Sequence, residues 1–413
     1  MTKYALIGKD VRFSYSKIIH ETLSNNSYAL LSLDSDQEFL DFLKTDFIGL
    51  NITMPYKQLA YRNCDLLTKE AKATGVINTI LKKDNKLIGF NTDIDGFSFL
   101  LKQNNISLKN KVVAILGTGG SSKTVHYIAN KQNAKMIFKI SRKPNNRDTF
   151  GYESEILKDV EVIINTTPIG QYPHNDDEPL FNFGICKKLE AFIDLNYNPI
   201  ISKQRQIAKR YCLKVINGLD MLIYQAMKSH EIFEEKKYSL LDYKKVILNI
   251  ITKMSNIALI GHPCSGKSTI GKKLAIDLNM SFIDIDNEIE NRENNTISSL
   301  IIDKGINYFR KIEAKVIEEY STKTGYVIAT GGGAILKEDN VINLARNSII
   351  INLVRNISLI DEDSLSSRPN TPNMEKLNAV IKQRKLLYEK YSAFTILNND
   401  TMTKVIENIK EML

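Results

Sequence analysis

Short apolar runs recur along the chain, each ending in a polar or glycine-bearing turn that leads into a stretch with apolar residues at helical spacing. The runs at 4–7, 47–51, 112–116, 136–140, 162–165, 191–195, 257–260, 282–286 and 327–330 read as strands. Uninterrupted runs of this length suit strands covered on both faces. The stretches at 241–251 and 270–278 carry the 3.6-residue period of amphipathic helices. Strand and helix alternating in this way predict α/β folds with parallel sheets. Pro55 halts the strand at 47–51 and opens a helix with Lys57 in its first turn. A cation is mildly disfavoured at a helix N-terminus, so Lys57 needs a reason to be there.

The chemistry-bearing residues gather where the runs end. Between 257–260 and 270–278 stands Gly261-His262-Pro263-Cys264-Ser265-Gly266-Lys267-Ser268-Thr269, which fits the phosphate-loop pattern G-x4-G-K-S/T at every defined position. Its glycines let backbone N–H groups turn inward around a phosphate. Lys267 reaches the β/γ-phosphates, and Ser268 can hold Mg²⁺. Such a loop ordinarily opens its domain, so the chain before residue 254 is predicted to be complete by itself. The expected organisation is a first α/β domain at 1–100, completed by helices within 219–252, a doubly wound nucleotide domain at 101–218, and a phosphate-loop domain at 255–413. A short linker is expected at 253–256.

Other turns are less specific. Ser14 and Ser16 precede a helix starting near Lys17 and either cap it or donate to a substrate anion. Gly117-Thr118-Gly119-Gly120 is a variant of the dinucleotide turn. The next strand ends in Ser141-Arg142-Lys143, where an NAD enzyme would carry an acid. The basic pair suits the 2′-phosphate of NADP, and the alternative is a solvated basic loop. Thr166 lies in a further turn where cofactor would sit. Asp284 and Asp286 end the run at 282–286, as exposed capping acids or as ligands. Arg310 and Glu313 form an i, i+3 pair of a kind that is mostly surface decoration. Gly331-Gly332-Gly333 ends a buried strand, a place that invites a ligand onto backbone. The polar stretch 361–373, with Arg368, reads as a lid, and Arg384 and Tyr388 begin the last helical region.

Composition narrows the classes. The chain has 413 residues, ample for two or three domains, and an ordinary apolar fraction of 43%. It has no apolar stretch of membrane-spanning length and no signal-peptide pattern. Its four cysteines are scattered without metal-ligand spacing, which points to reduced thiols in a cytoplasmic protein. The net charge of +9 is dispersed and not gathered in a run, so small anionic substrates are expected and nucleic acid is not.

Two family resemblances emerge from these residues. Residues 1 to about 252 resemble shikimate dehydrogenase through Ser14-x-Ser16, Asn51-x-Thr53-x-Pro55-Tyr56-Lys57, Gly75-x-x-Asn78-Thr79, Asn91-Thr92-Asp93-x-x-Gly96, Gly117-x-Gly119-Gly120, Asn165-x-Thr167-Pro168-x-Gly170 and Gly218-x-x-Met221-x-x-x-Gln225. Residues 255–413 resemble shikimate kinase through the phosphate loop, Asp284-x-Asp286, Phe309-Arg310-x-x-Glu313, Gly331-Gly332-Gly333, Arg368-Pro369 and Arg384-x-x-x-Tyr388. The departures are Phe13 for the family's histidine, Lys17 for its proline, Ile306-Asn307 where the kinases carry an acid, and Asn370-Thr371 for leucines after Arg-Pro.

The resemblance implies a two-lobed dehydrogenase, with an α/β substrate domain and a Rossmann-type NADP domain, followed by a kinase domain with a parallel sheet of the nucleoside monophosphate kinase type. It implies NADPH-dependent reduction of 3-dehydroshikimate to shikimate, then phosphorylation of shikimate by ATP with Mg²⁺. Lys57 and Asp93 would be the reductase's catalytic pair. Ser14 and Ser16 would hold the substrate carboxylate, with Thr53, Asn78 and Gln225 on the ring oxygens. Gly117, Gly119, Gly120, Ser141, Arg142, Thr166 and Gly218 would hold the dinucleotide. In the kinase, Gly261, Ser265, Gly266, Lys267, Ser268, Thr269 and Arg368 would hold ATP, with Ser268 and Asp284 on the metal. Asp286 would accept the hydroxyl proton, Arg310 and Arg384 would clamp the carboxylate, and Gly332 and Gly333 would lie against the ring. The competing readings are a sensing protein that keeps both folds but has lost one activity, and a quinate/shikimate dehydrogenase using NAD.

Overall fold

The computed structural model describes residues 3–145, 148–171, 177–199, 202–212, 214–361 and 372–413. It divides into two units, Met1–Ile247 and Leu248–Leu413.

The first unit holds two sheets. One is built from β1 (Tyr4–Gly8), β2 (Tyr28–Ser32), β3 (Gly49–Ile52), β4 (Leu66–Leu67), β5 (Thr79–Lys83) and β6 (Lys86–Phe90), in the order β2-β1-β3-β5-β6-β4. Strands β1, β2 and β3 are parallel, and β5 runs antiparallel between β3 and β6. The second sheet is wholly parallel: β7 (Val112–Leu116), β8 (Met136–Ile140), β9 (Val162–Asn165), β10 (Ala191–Asp194) and β11 (Lys214–Asn217), in the order β11-β10-β9-β7-β8. Ala114, Ile115, Ile163 and Ile164 are completely buried, as expected of central strands covered by helices on both faces. The helices Asp93–Gln103 and Leu219–Glu234 pack side by side. Their approach is close enough that a Cβ on Gly96 would stand 2.5 Å from the Met221 carbonyl oxygen.

The second unit has one parallel sheet: β12 (Asn256–Ile260), β13 (Ser281–Asp284), β14 (Tyr326–Ala329), β15 (Ser348–Val354) and β16 (Phe394–Leu397), in the order β13-β14-β12-β15-β16. The phosphate-loop strand is therefore central. Three details differ from the sequence expectation. The run at 282–286 ends as a strand at Asp284, whose carboxylate accepts the Asp286 and Asn287 N–H groups and starts the helix Ile285–Glu293. The helix after Pro55 begins only at Lys57, with Tyr56 in the cap position. Arg384 and Tyr388 lie within the helix Met374–Tyr391, and a further helix, Met402–Met412, follows it.

The expected linker at 253–256 is nearly consumed by regular structure. Helix Leu240–Met254 contains Lys253, strand β12 begins at Asn256, and Ser255 alone lies between them.

A buried charge knot organises the turn after β10. Arg205 Nη1 donates to Asp194 Oδ2 at 2.8 Å, with side-chain exposures of 3% and 0%. Asn165 donates to the other carboxylate oxygen at 2.9 Å. Arg205 also donates to the carbonyls of Asn196 and Pro199, which fixes the turn carrying Tyr197. Removing one partner strands the other charge in the core, so Arg205→Met is expected to destabilise the first unit by about 3–5 kcal/mol. Asp194→Asn added to Arg205→Met should recover much of that loss. Hydrogen exchange of β9 and β10 amides in the full chain reads both effects, and unchanged protection in Arg205→Met would show that the pair contributes nothing.

Candidate active sites

In the first unit a cleft of about 690 Å³ gathers Ser14, Ser16, Thr53, Lys57, Asn78, Asp93, Gly218 and Gln225. Lys57 opens the helix Lys57–Arg62 after β3, and Asp93 opens Asp93–Gln103 after β6. Lys57 Nζ lies 2.5 Å from Asp93 Oδ2, with side-chain exposures of 15% and 8%. This is the reason for a cation at a helix N-terminus: the carboxylate beside it is favoured there and offsets the cost. Asn78 Nδ2 lies 2.9 Å from Asp93 Oδ1, from Thr92 Oγ1 and from Gln225 Oε1. The carboxylate is thus held from both sides.

Tyr15 occupies the cap position of the helix Ser16–Leu23 without a side-chain bond, and Ser14 Oγ accepts the Ser16 N–H at 3.2 Å. Ser14 Oγ also donates to Ser16 Oγ at 3.1 Å, and both serines line the cleft. Tyr197 reaches the same place from the second sheet. Its ring is 5.0 Å from that of Tyr15, and it lines the same cleft as Ser14. Sequence reasoning missed this contact, because the residues Tyr197 meets are far away along the chain.

The dinucleotide residues line the carboxyl ends of β7, β8 and β9. Gly117 has φ +103°, and a Cβ there would stand 2.8 Å from Thr166 Oγ1. A Cβ on Gly119 would meet nothing within 4 Å, so packing does not demand its bareness. The space lies at the N-terminus of the helix Gly120–Lys131, which suits a pyrophosphate. A Cβ on Gly120 would stand 3.1 Å from Lys57 Cδ, so the turn abuts Lys57. Ser141 Oγ accepts the Lys143 N–H at 3.2 Å, and Arg142 is exposed beyond β8. Gly218 has a packing reason of its own, since a Cβ there would overlap the Leu195 carbonyl oxygen at 1.9 Å.

In the second unit a cavity of about 770 Å³ gathers Gly266, Lys267, Ser268, Thr269, Asp284, Asp286, Arg310, Glu313, Gly332, Gly333 and Arg384. Gly261 takes φ +147° and Gly266 φ +90°, conformations that favour glycine. Lys267 Nζ donates to the carbonyls of Gly261 and His262, both at 2.9 Å. Ser265 is buried, and its carbonyl accepts Asn398 Nδ2 at 2.9 Å. Asn398 is a prop from the far end of the domain that no motif announced. Ser268 Oγ donates to Asp284. A hydroxyl and a carboxylate are hard oxygen donors that fit Mg²⁺, which takes few protein oxygens beside phosphates and water. Among the described residues no cluster of three His, Cys, Asp or Glu side chains stands ready for a metal.

Two of the three consecutive glycines have a packing cause beside the expected one. A Cβ on Gly331 would stand 2.6 Å from Asp286 Oδ1, and one on Gly333 would stand 2.1 Å from Arg310 Nη2. These two leave room for the site's own side chains, and a Cβ on Gly332 would stand 3.0 Å from Pro263 Cδ. The Gly332 carbonyl accepts Arg384 Nη1 at 3.0 Å and the Tyr388 hydroxyl at 2.5 Å. Arg310 Nη1 donates to Glu313 Oε2 at 2.6 Å, and Glu313 is fully buried, so this pair is no surface ornament. Arg368 and the rest of the expected lid from 362 to 371 lie outside the described residues.

The comparisons with known proteins divide at the same place. A family model for the shikimate dehydrogenase substrate binding domain matches residues 6–80, and one for shikimate kinase matches residues 263–413. A shikimate dehydrogenase (NADP(+)) of Clostridium beijerinckii is 37% identical over 255 residues, spanning 57% of this chain and 93% of that protein. The crystal structure of shikimate dehydrogenase 1 from Peptoclostridium difficile superposes with a TM-score of 0.55 at 30% identity, covering 60% of this chain and 97% of that one. A shikimate 5-dehydrogenase from Thermus thermophilus, solved with NADP(H) and shikimate, gives a TM-score of 0.53 at 26% identity, covering 60% of this chain and 100% of that one.

Burial pushes the Glu313 carboxyl up to about 7, against the pull of Arg310. The folded protein therefore holds this proton more tightly than the unfolded chain. Stability of the second unit is expected to fall between about pH 4.5 and pH 7, by on the order of 3 kcal/mol, and to level off above. Glu313→Gln should flatten that slope. Hydrogen exchange of β12 and β14 amides from pH 5 to pH 8 checks it, and a slope that persists in Glu313→Gln would refute the assignment.

With a dehydrogenase relative covered almost end to end and a kinase model matched to the last residue, the chain belongs to the shikimate dehydrogenase family, carries a shikimate kinase domain after it, and is a bifunctional enzyme of the shikimate pathway.

Proposed function

We propose that the first unit reduces 3-dehydroshikimate to shikimate with NADPH and that the second transfers the γ-phosphate of ATP to the 3-hydroxyl of shikimate. The observation that supports this most is the Lys57–Asp93 pair in one cleft, with a complete phosphate loop in a separate unit.

In the reductase, Ser14 and Ser16 bind the substrate carboxylate, and Thr53, Asn78 and Gln225 orient the ring oxygens. Gly117, Gly119, Gly120, Thr166, Gly218, Ser141 and Arg142 would hold NADPH, which would supply the hydride for the carbonyl carbon. Lys57 Nζ polarises the carbonyl oxygen and delivers the proton, while Asp93 fixes the ammonium and stabilises its charge. In the kinase, Arg310 and Arg384 grip the carboxylate, Glu313 orients Arg310, and Gly332 and Gly333 border the ring. Asp286 accepts the proton of the attacking 3-hydroxyl as the new O–P bond forms and ADP leaves. Mg²⁺, held by Ser268 and Asp284, neutralises phosphate charge when bound. Lys267 leaves the loop carbonyls for the β/γ-phosphates, Gly261, Ser265, Gly266 and Thr269 cradle them, and Arg368 covers them. We place both activities in the cytoplasm, where thiols such as Cys264 stay reduced; no described helix is long and apolar enough to cross a membrane.

Incubating the chain with 3-dehydroshikimate, NADPH and Mg-ATP should yield shikimate and then shikimate 3-phosphate. Absence of either product would refute the corresponding half. Lys57→Ala is expected to lower reductase kcat by about 10²- to 10⁴-fold and spare the kinase. Lys267→Ala should do the converse, and a folded variant that loses both activities would contradict separate sites.

Cofactor choice has its own test. Arg142→Ala should weaken NADPH about ten- to a hundredfold and NADH much less, since only NADPH carries the 2′-phosphate. Equal losses in the two Michaelis constants would assign Arg142 to structure.

A further inference from the structure

Two histidines that neither reaction uses are buried together in the first unit. His20 lies one turn after Ser16 on the helix Ser16–Leu23, and His230 follows Ser229 on the helix that carries Gln225. Their exposures are 1% and 2%, and their Nδ1 atoms are 3.0 Å apart. The His20 ring is stacked on Tyr28, with centroids 4.0 Å apart. A hydrogen bond between two Nδ1 atoms requires one ring to donate and the other to accept. The two rings therefore hold different tautomers, or share one extra proton. With both rings charged, two N–H groups would face each other, and the bond would be lost.

Polar atoms connect this pair to the catalytic carboxylate. Asn51 is a polar neighbour of His20 and donates to Ser229 Oγ at 2.8 Å. Ser229 Oγ is 2.7 Å from Thr79 Oγ1 and 2.9 Å from Thr92 Oγ1. Thr79 and Thr92 donate to Asn78 Oδ1 at 3.1 and 3.2 Å, and Asn78 donates to Asp93. All six of these side chains are buried.

We propose that His20 and His230 are positioning residues of the reductase. Their shared hydrogen bond locks the helix bearing Ser16 to the helix bearing Gln225, fixing the spacing between the carboxylate and ring-oxygen contacts, and a second proton on the pair releases the lock. The proposal rests on the reductase reading of the cleft and adds a pH-sensitive element to it.

The groups around the pair set the sign. Glu234, on the helix of His230, favours the charged imidazole, and Lys236 just beyond opposes it. Tyr4 of β1 has its ring 6.5 Å from that of His230 and feels the charge of Glu234. Tyr28 of β2 donates to Asn51 of β3 at 2.7 Å. Tyr238 stands with its ring 5.6 Å from that of His230. Burial dominates and holds both imidazoles below the usual histidine range. A depressed folded value means that the neutral pair contributes fully above about pH 6.5 and is lost as pH falls through the folded values. The Michaelis constant for shikimate should then rise on the acid side.

His20→Phe and His230→Phe keep an aromatic ring and remove the hydrogen bond. With shikimate and NADP⁺ at pH 7.5, each is expected to raise the Michaelis constant for shikimate about tenfold, to change kcat less, and to flatten its acid-side rise. The kinase reaction of the same chain should be unchanged and reports an intact protein. Wild-type constants and a wild-type pH profile in both variants would overturn the proposal. Should the variants fail to fold, ¹⁵N-histidine NMR of the wild-type chain decides. One protonated and one bare Nδ1, with both rings gaining a proton only below the usual histidine range, supports the pair, whereas two independent rings titrating as ordinary histidines would overturn it. A wild-type chain without reductase activity would sink the reading of the cleft, while the NMR outcome still judges the pair.

Discussion

Parallel pairing is the constraint from which the rest of this molecule follows. Parallel strands need crossovers, and every crossover returns the chain so that carboxyl ends collect on one edge of the sheet. In the second sheet that edge carries Gly117, Arg142, Thr166 and Tyr197; in the third it carries the phosphate loop, Asp284, the three glycines and Asn398. The first sheet is mixed, yet β1, β3 and β6 point the same way and deliver Ser14, Lys57 and Asp93 to one cleft. Helices begin there too, so exposed N–H groups and partial positive charge gather at these edges, which suits anionic ligands.

The fold was legible because such strands are apolar throughout. Most strand runs match within one or two residues, as at 112–116 and 136–140. The run at 282–286 misled because an acid that ends a strand and one that starts a helix look alike in sequence, and only the hydrogen bonds from Asp286 and Asn287 separate the two. The expected linker looked like one because Lys253 and Ser255 are polar, and the helix ends only at Met254.

Candidate site residues were legible where they cluster in sequence. The phosphate loop packs its glycines, lysine and serine into one stretch, and Lys57 stood out as a charge at the wrong helix end. What pattern did not disclose are partners far apart along the chain: Tyr197 beside Tyr15, Asn398 under Ser265, Asp194 with Arg205, His20 with His230. The three glycines show a subtler limit. Their bareness was visible, but whether it serves a ligand or a neighbouring guanidinium depends on where Arg310 lies.

The helix Leu240–Met254 runs to within one residue of the first strand of the kinase unit. With Ser255 alone outside regular structure there, a protease would have to melt the helix end before it could part the two catalysts. Each copy of the chain therefore carries the two in equal number. Expression or turnover of the chain changes both activities together. Any imbalance between making shikimate and phosphorylating it must be corrected by turnover number and saturation alone, which ties the evolution of one site's kinetics to the other's.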